Sequence, residues 1–146
     1  MSAHVVKKSI TINAKPAKVW DALTNPEKTK EYFFNCEVHS SWQKGSPITF
    51  KGKIFLIKNI EMTGSILEIE PQKLLKYNLK NQSDNDGSFS TITDELTYEN
   101  GVTTVSITDD VGTGPNAEDH FRKSDKGWDK VLKGLKELVE KENSQL

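Results

Sequence analysis

The sequence predicts an α+β domain: one seven-stranded antiparallel sheet covered by a long C-terminal helix, with two short helices after the first strand. Three observations carry this. Apolar and polar residues alternate through most of the chain up to about Asp110, the mark of half-buried strands. The turns between the alternating runs are too short for the crossovers that parallel strands require. Beyond Pro115 the apolar spacing changes to a helical period that persists to about Glu142.

Residues 5–12 place Val6, Ile10 and Ile12 on one strand parity, with Ser9 and Thr11 on the other. Lys8 shares the inward parity, and its long stem lets the ammonium snorkel to solvent near a strand end. Pro16 opens the first short helix, because the first helical position does not need an N–H, and Val19, Trp20 and Leu23 fall on one face. Asn25-Pro26 repeats the start signal with Asn as cap, so a second short helix runs to about Phe33.

Six strands follow: Cys36–Trp42, Pro47–Lys53, Phe55–Glu70, Leu74–Lys80, Ser88–Tyr98 and Val102–Thr108. Their turns carry suitable residues, with Lys44-Gly45, Pro71-Gln72, Asp84-Asn85-Asp86-Gly87 and Asn100-Gly101 between the runs. The last helix, from about Asn116 to Glu142, gathers Phe121, Trp128, Val131, Leu132, Leu135, Leu138 and Val139 on one stripe. It is the only element long enough to lie across the sheet. Gly127 and Gly134 each cost it about 1 kcal/mol against alanine, so close backbone approach or a slight bend is expected there.

Composition sets outer bounds. The 146 residues suit one domain with one core, and 34% hydrophobic with 28% charged residues is a globular balance. Twenty Lys and Arg against 21 Asp and Glu leave a formal charge of −1, with no overall pull toward nucleic acid or an anionic membrane. Neither partner is expected. No window approaches the roughly 18 apolar residues that span a bilayer, and Met1 to Lys8 lack the apolar segment of a secretion signal. A single cysteine, Cys36, excludes an intramolecular disulfide and a Cys-based zinc cluster, and it fits a reducing compartment. A cytoplasmic location is the expectation.

No catalytic motif is present: no nucleophile elbow, phosphate-cradling loop or dinucleotide fingerprint. His4, His39 and His120 lie on different expected elements without metal-ligand spacing, so neither a metal nor a cofactor is expected. His120, with Asp119 beside it near the start of the long helix, reads either as an acid or base or as a solvated histidine in a charged turn.

Several stretches share the pattern of one family. The segment from Ala14 to Pro26 (AKPAKVWDALTNP) resembles the opening signature of the activator of heat-shock-protein-90 ATPase homologue family, part of the START-like, birch-pollen-allergen-like superfamily. Trp42 with Gly45 to Gly52, Gly64 to Pro71 with Leu74 to Tyr77, and Gly127-Trp128 with Leu132, Leu135 and Leu138 continue the resemblance in order. It implies a helix-grip fold, a curved sheet around the terminal helix, with a space between them that many superfamily members use for apolar or amphipathic molecules. It implies no shared catalytic residues.

On that footing the candidate ligand-binding residues are Phe34, Trp42, Phe50, Met62, Tyr77, Asp94, Phe121 and Trp128. The aromatic ones either fill the core or line a void under the helix. Asp94 shares parity with Ile92, Leu96 and Tyr98, where the family usually has an apolar residue. It reads either as a polar handle for a ligand or as a side chain turned to water by a local bulge. The pocket is expected under the N-terminal half of the helix, from Phe121 to Trp128, while the C-terminal half seals the core.

Two functions compete: binding of an apolar or aromatic small molecule, and a co-chaperone-like interaction with the heat-shock ATPase. A cyclase-like enzyme is a weaker third. The family's founding members carry an additional N-terminal domain that engages the chaperone, whereas this sequence opens on its first strand, which weighs against full co-chaperone activity.

Overall fold

The computed structural model describes residues 4–54, 58–81, 90–112 and 116–144. Its elements are β1 (Val5–Ile12), α1 (Pro16–Thr24), α2 (Pro26–Tyr32), β2 (Cys36–Ser40), β3 (Pro47–Ile54), β4 (Lys58–Glu70), β5 (Leu74–Asn81), β6 (Ser90–Glu99), β7 (Val102–Asp110) and α3 (Ala117–Ser144). The strands form one seven-stranded sheet in the order β1-β7-β6-β5-β4-β3-β2, every pair antiparallel. Phe55, Phe89 and the turn at 84–87 lie outside the described residues.

Local chemistry explains the boundaries. Asn25 caps α2, its side chain accepting from the Glu27 N–H at 3.0 Å, and Pro26 takes the first helical position. Asn100 and Gly101 both take positive φ, 53° and 82°, the geometry that a two-residue hairpin turn needs to match strand twist. It sets Glu99 opposite Val102 and fixes the β6–β7 register. A register shift between Ile66 and Glu68 marks an irregularity in β4, and bulges of this kind bend a strand.

The inner face of α3 buries Trp128, Val131, Leu132, Leu135 and Val139, while Leu138 sits at the edge of the stripe and is only half-buried. The two helical glycines mark close approaches. A Cβ on Gly134 would come within 2.7 Å of the Cβ of Tyr32, and one on Gly127 would meet the tip of the Phe34 ring at 3.2 Å.

Polar contacts tie α3 to the first strand. Lys8 stays partly exposed at the edge of the core; its ammonium pairs with Asp125 at 3.0 Å and Asp129 at 3.1 Å, and both partners raise its pKa. Lys136 donates to the carbonyl of Thr11 at 2.6 Å, and the N–H of Asn13 donates to Glu140 at 2.8 Å. Tyr98 departs from its expected buried parity. It is 48% exposed, because the end of β6 runs into the hairpin turn.

Candidate functional site

The inward residues of the neighbouring strands β6 and β7 alternate strictly. On β6 they are Ile92, Asp94 and Leu96; on β7 they are Thr103, Val105, Ile107 and Asp109. Because Ile92 pairs with Asp109 and Asp94 with Ile107, the two aspartates are diagonal neighbours on one face of the sheet. The others are apolar apart from Thr103, whose hydroxyl donates to the Ala14 carbonyl at 2.7 Å, so the two carboxyls are the departure that asks for an explanation.

The space between sheet and helix divides in two. Under the N-terminal half of α3 lies a cavity of about 270 Å³, walled by Phe33, Met62, Leu79, Ile92, Trp128 and Val131, with Asp109 and Ser124 as polar groups and Phe34, His120 and Lys123 also lining it. Deeper, a void of about 20 Å³ is bounded by Phe50, Leu75, Tyr77, Asp94, Ile107 and Leu135, room for about one water. Phe33, Trp128 and Val131 line both spaces and form the wall between them. Phe33 stacks on Phe50 at 4.7 Å between ring centroids and meets Trp128 edge-on at 5.8 Å, so the wall is braced from both sides.

The two aspartates have different surroundings. Asp109 is 4% exposed, and its Oδ2 accepts from the Trp128 indole N–H at 2.8 Å and from the Ser124 hydroxyl. Its Oδ1 has no hydrogen-bond partner among the described residues. Asp94 is 3% exposed, and its Oδ1 is likewise without a partner. Burial pushes the Asp94 carboxyl up to about 8, and the charge of Asp109 adds to the shift. Burial also raises the hydroxyls of Tyr32 and Tyr77, with Asp94 contributing to both. The Tyr32 hydroxyl donates to the carbonyl of Ala22 at 2.6 Å.

Among the described residues no group of three or more His, Cys, Asp or Glu is placed to hold a metal ion, and no helix is long and apolar enough to cross a membrane. Cys36 is buried, and burial pushes its thiol up, which favours the protonated and less nucleophilic form.

A family model described as Activator of Hsp90 ATPase homolog 1-like protein matches residues 13–140. The chain belongs to this family. Comparison with curated proteins gives no match. Among solved structures, ChR145 from Cytophaga hutchinsonii is 32% identical, with 99% of each chain covered and a TM-score of 0.77. NE0264 from Nitrosomonas europaea is 18% identical over 99% of each chain, with a TM-score of 0.81. The Aha1 dimer from Colwellia psychrerythraea is 20% identical, covering 93% of this chain and 96% of its own, with a TM-score of 0.71. At these last two identities the likeness shows the shared fold.

In this family member the eight sequence candidates do not form one cluster. Phe34, Met62 and Trp128 line the larger cavity, although Phe34 is itself 46% exposed. Phe50, Tyr77 and Asp94 line the small inner void, which Trp128 also borders. Trp42 and Phe121 line neither space. Trp42 follows the end of β2 at a positive φ of 57°, its N–H donating to Ser40 Oγ at 3.0 Å. Phe121 is half-buried, its ring edge-on to His4 at 6.0 Å.

The outward alternative for Asp94 is overturned. β6 keeps regular pairing on both sides, Asp94 facing Leu75 and Ile107, and no bulge intervenes to change its parity. Sequence reasoning missed Phe33, Asp109 and Ser124. Asp109 was legible in principle, since Thr103, Val105, Ile107 and Asp109 continue one parity. Ser124 lies one helical turn before Trp128, at i and i+4.

Proposed function

We propose that this family member is a cytoplasmic binding domain that holds an apolar or aromatic small molecule under the N-terminal half of α3, with no catalytic step of its own. The observation that supports this reading is the cavity of about 270 Å³, whose walls are largely apolar and where the Ser124 hydroxyl and the Trp128 indole N–H meet at Asp109. Mostly apolar clefts with a few placed polar groups are the usual form of small-molecule sites. A chemical-shift titration against a mixed panel of lipids and aromatic compounds tests it. Binding there moves the amides from Phe121 to Trp128 and those of β6 and β7, and leaves Leu135 to Glu142 almost still. A panel in which no compound moves that half overturns the reading.

The family description favours a second reading, a surface that acts on the chaperone's ATPase. Adding the chain to the purified chaperone and following ATP turnover decides it: an unchanged rate at saturating protein removes this role.

A further inference from the structure

We propose that Asp109 is the polar handle of the cavity, and that the molecule held there presents a hydrogen-bond donor, a hydroxyl or an N–H, from an apolar ring system. This rests on the binding reading above and adds the chemistry of the ligand to it.

The Trp128 indole only donates, so Asp109 Oδ2 is an acceptor in this arrangement, and Ser124 brings it a second hydrogen. Both donors come from consecutive turns of α3 and hold the carboxyl in one orientation. Oδ1 is left buried with no partner among the described residues, an arrangement that proteins seldom leave in place without a use for it. No ion pair reaches Asp109 from the described residues. Lys123, the ammonium lining the same cavity, is engaged with Asp119 at 3.3 Å. Asp109 lines the cavity, so a small side-chain shift that bares Oδ1 presents a bound molecule with an acceptor that lacks a donor. A ligand carboxylate placed there would set acceptor against acceptor, whereas a hydroxyl or amine supplies the missing bond.

Three compounds on one ring system separate the outcomes: 2-naphthol, which donates; 2-methoxynaphthalene, which only accepts; and 2-naphthoate, which is anionic. Each is titrated into the protein at neutral pH while the amides of α3 and the indole N–H resonance of Trp128 are followed. The inference expects 2-naphthol to bind about tenfold more tightly than 2-methoxynaphthalene, as for one well-made hydrogen bond, and the indole resonance to move. It expects 2-naphthoate to bind most weakly. In Asp109→Leu the preference for the naphthol disappears. The wild-type comparison stands by itself if that variant fails to fold, and Ser124→Ala, which keeps the carboxyl and removes one competing donor, retains the preference. Equal binding of the naphthol and its methyl ether, or tight binding of the naphthoate, overturns the handle while leaving the cavity as a binding site. Binding of none of the three overturns the handle and counts against the binding reading itself.

Discussion

At the inner end of the space beneath α3, Phe50, Ile107 and Leu135 close round Asp94 and leave about 20 Å³; at the outer end Ser124, Gly127 and Asp109 together line about 270 Å³. The sheet contributes an aspartate to each end on the same strand parity. The difference lies in the helix. Where α3 presents leucines the core closes, and where it presents glycine and serine room remains. Donors differ as well: two reach Asp109 from α3, while among the described residues none donates to Asp94 Oδ1. One carboxyl is thus built into a polar site, and the other is held against its own ionisation.

The harshest way to break this contrast is to open the closed end. Leu135→Ala should cost about 2–5 kcal/mol in chemical denaturation, since the side chain is fully buried and the leucines and aromatics around it cannot all collapse inward. A loss below about 0.5 kcal/mol would be the behaviour of a surface site and would place the helix elsewhere.

A pH series sharpens the contrast between the two carboxyls. The folded-state value for Asp94 lies above its ordinary 3.8, at about 8, so folding favours the protonated form. Its contribution is complete below about pH 4 and is lost as pH climbs toward about 8, at ~1.4 kcal/mol per unit before relaxation reduces it. Asp94→Asn, which cannot ionise, should flatten that slope and be more stable than the wild type by a few kcal/mol at about pH 8. Denaturation midpoints compared at pH values near the two ends of the window measure it; parallel curves for the two proteins would mean that Asp94 is not desolvated.

Smaller effects of opposite sign come from the same substitution at two positions on α3. Gly134→Ala should destabilise by about 1–3 kcal/mol, because the new methyl meets the Cβ of Tyr32, which cannot swing away. Gly127→Ala meets only the far end of the exposed Phe34 ring, which can yield, so the gain in helix propensity should prevail and stabilise by up to about 1 kcal/mol. Thermal midpoints that move in the same direction for both would contradict the packing described for α3.

Most of the architecture was legible because it depends on periods that side chains declare directly: two along the strands, 3.6 along α3. The glycines of α3 were also readable as close approaches, though not what approached them. The site was less so. Asp109 escaped because the last strand was read only as far as Thr108, one residue short of the second inward carboxyl. Of the adjacent Phe33 and Phe34, sequence favoured the exposed one; Phe34 and Asn35 take positive φ of 49° and 64°, a reversal after α2 that no local period reveals. Trp42 was misplaced for the same reason, since its left-handed backbone takes it out of the strand alternation. Polar side chains on an apolar parity are visible in a sequence, but whether donors await them depends on an element many residues away.

The bond between Lys8 and the two aspartates of α3 also bears on how the chain folds. β1 precedes every other element, yet its strand partner is β7 and its salt bridges run to Asp125 and Asp129 on the last helix. The strands from β2 to β7 pair with sequence neighbours and close short loops, while β1 must wait across almost the whole chain for its partner. On loop-closure grounds the meander is expected to assemble first, with its β7 edge open. The opening strand of the sequence becomes the closing strand of the sheet, locked only when α3 arrives to hold it.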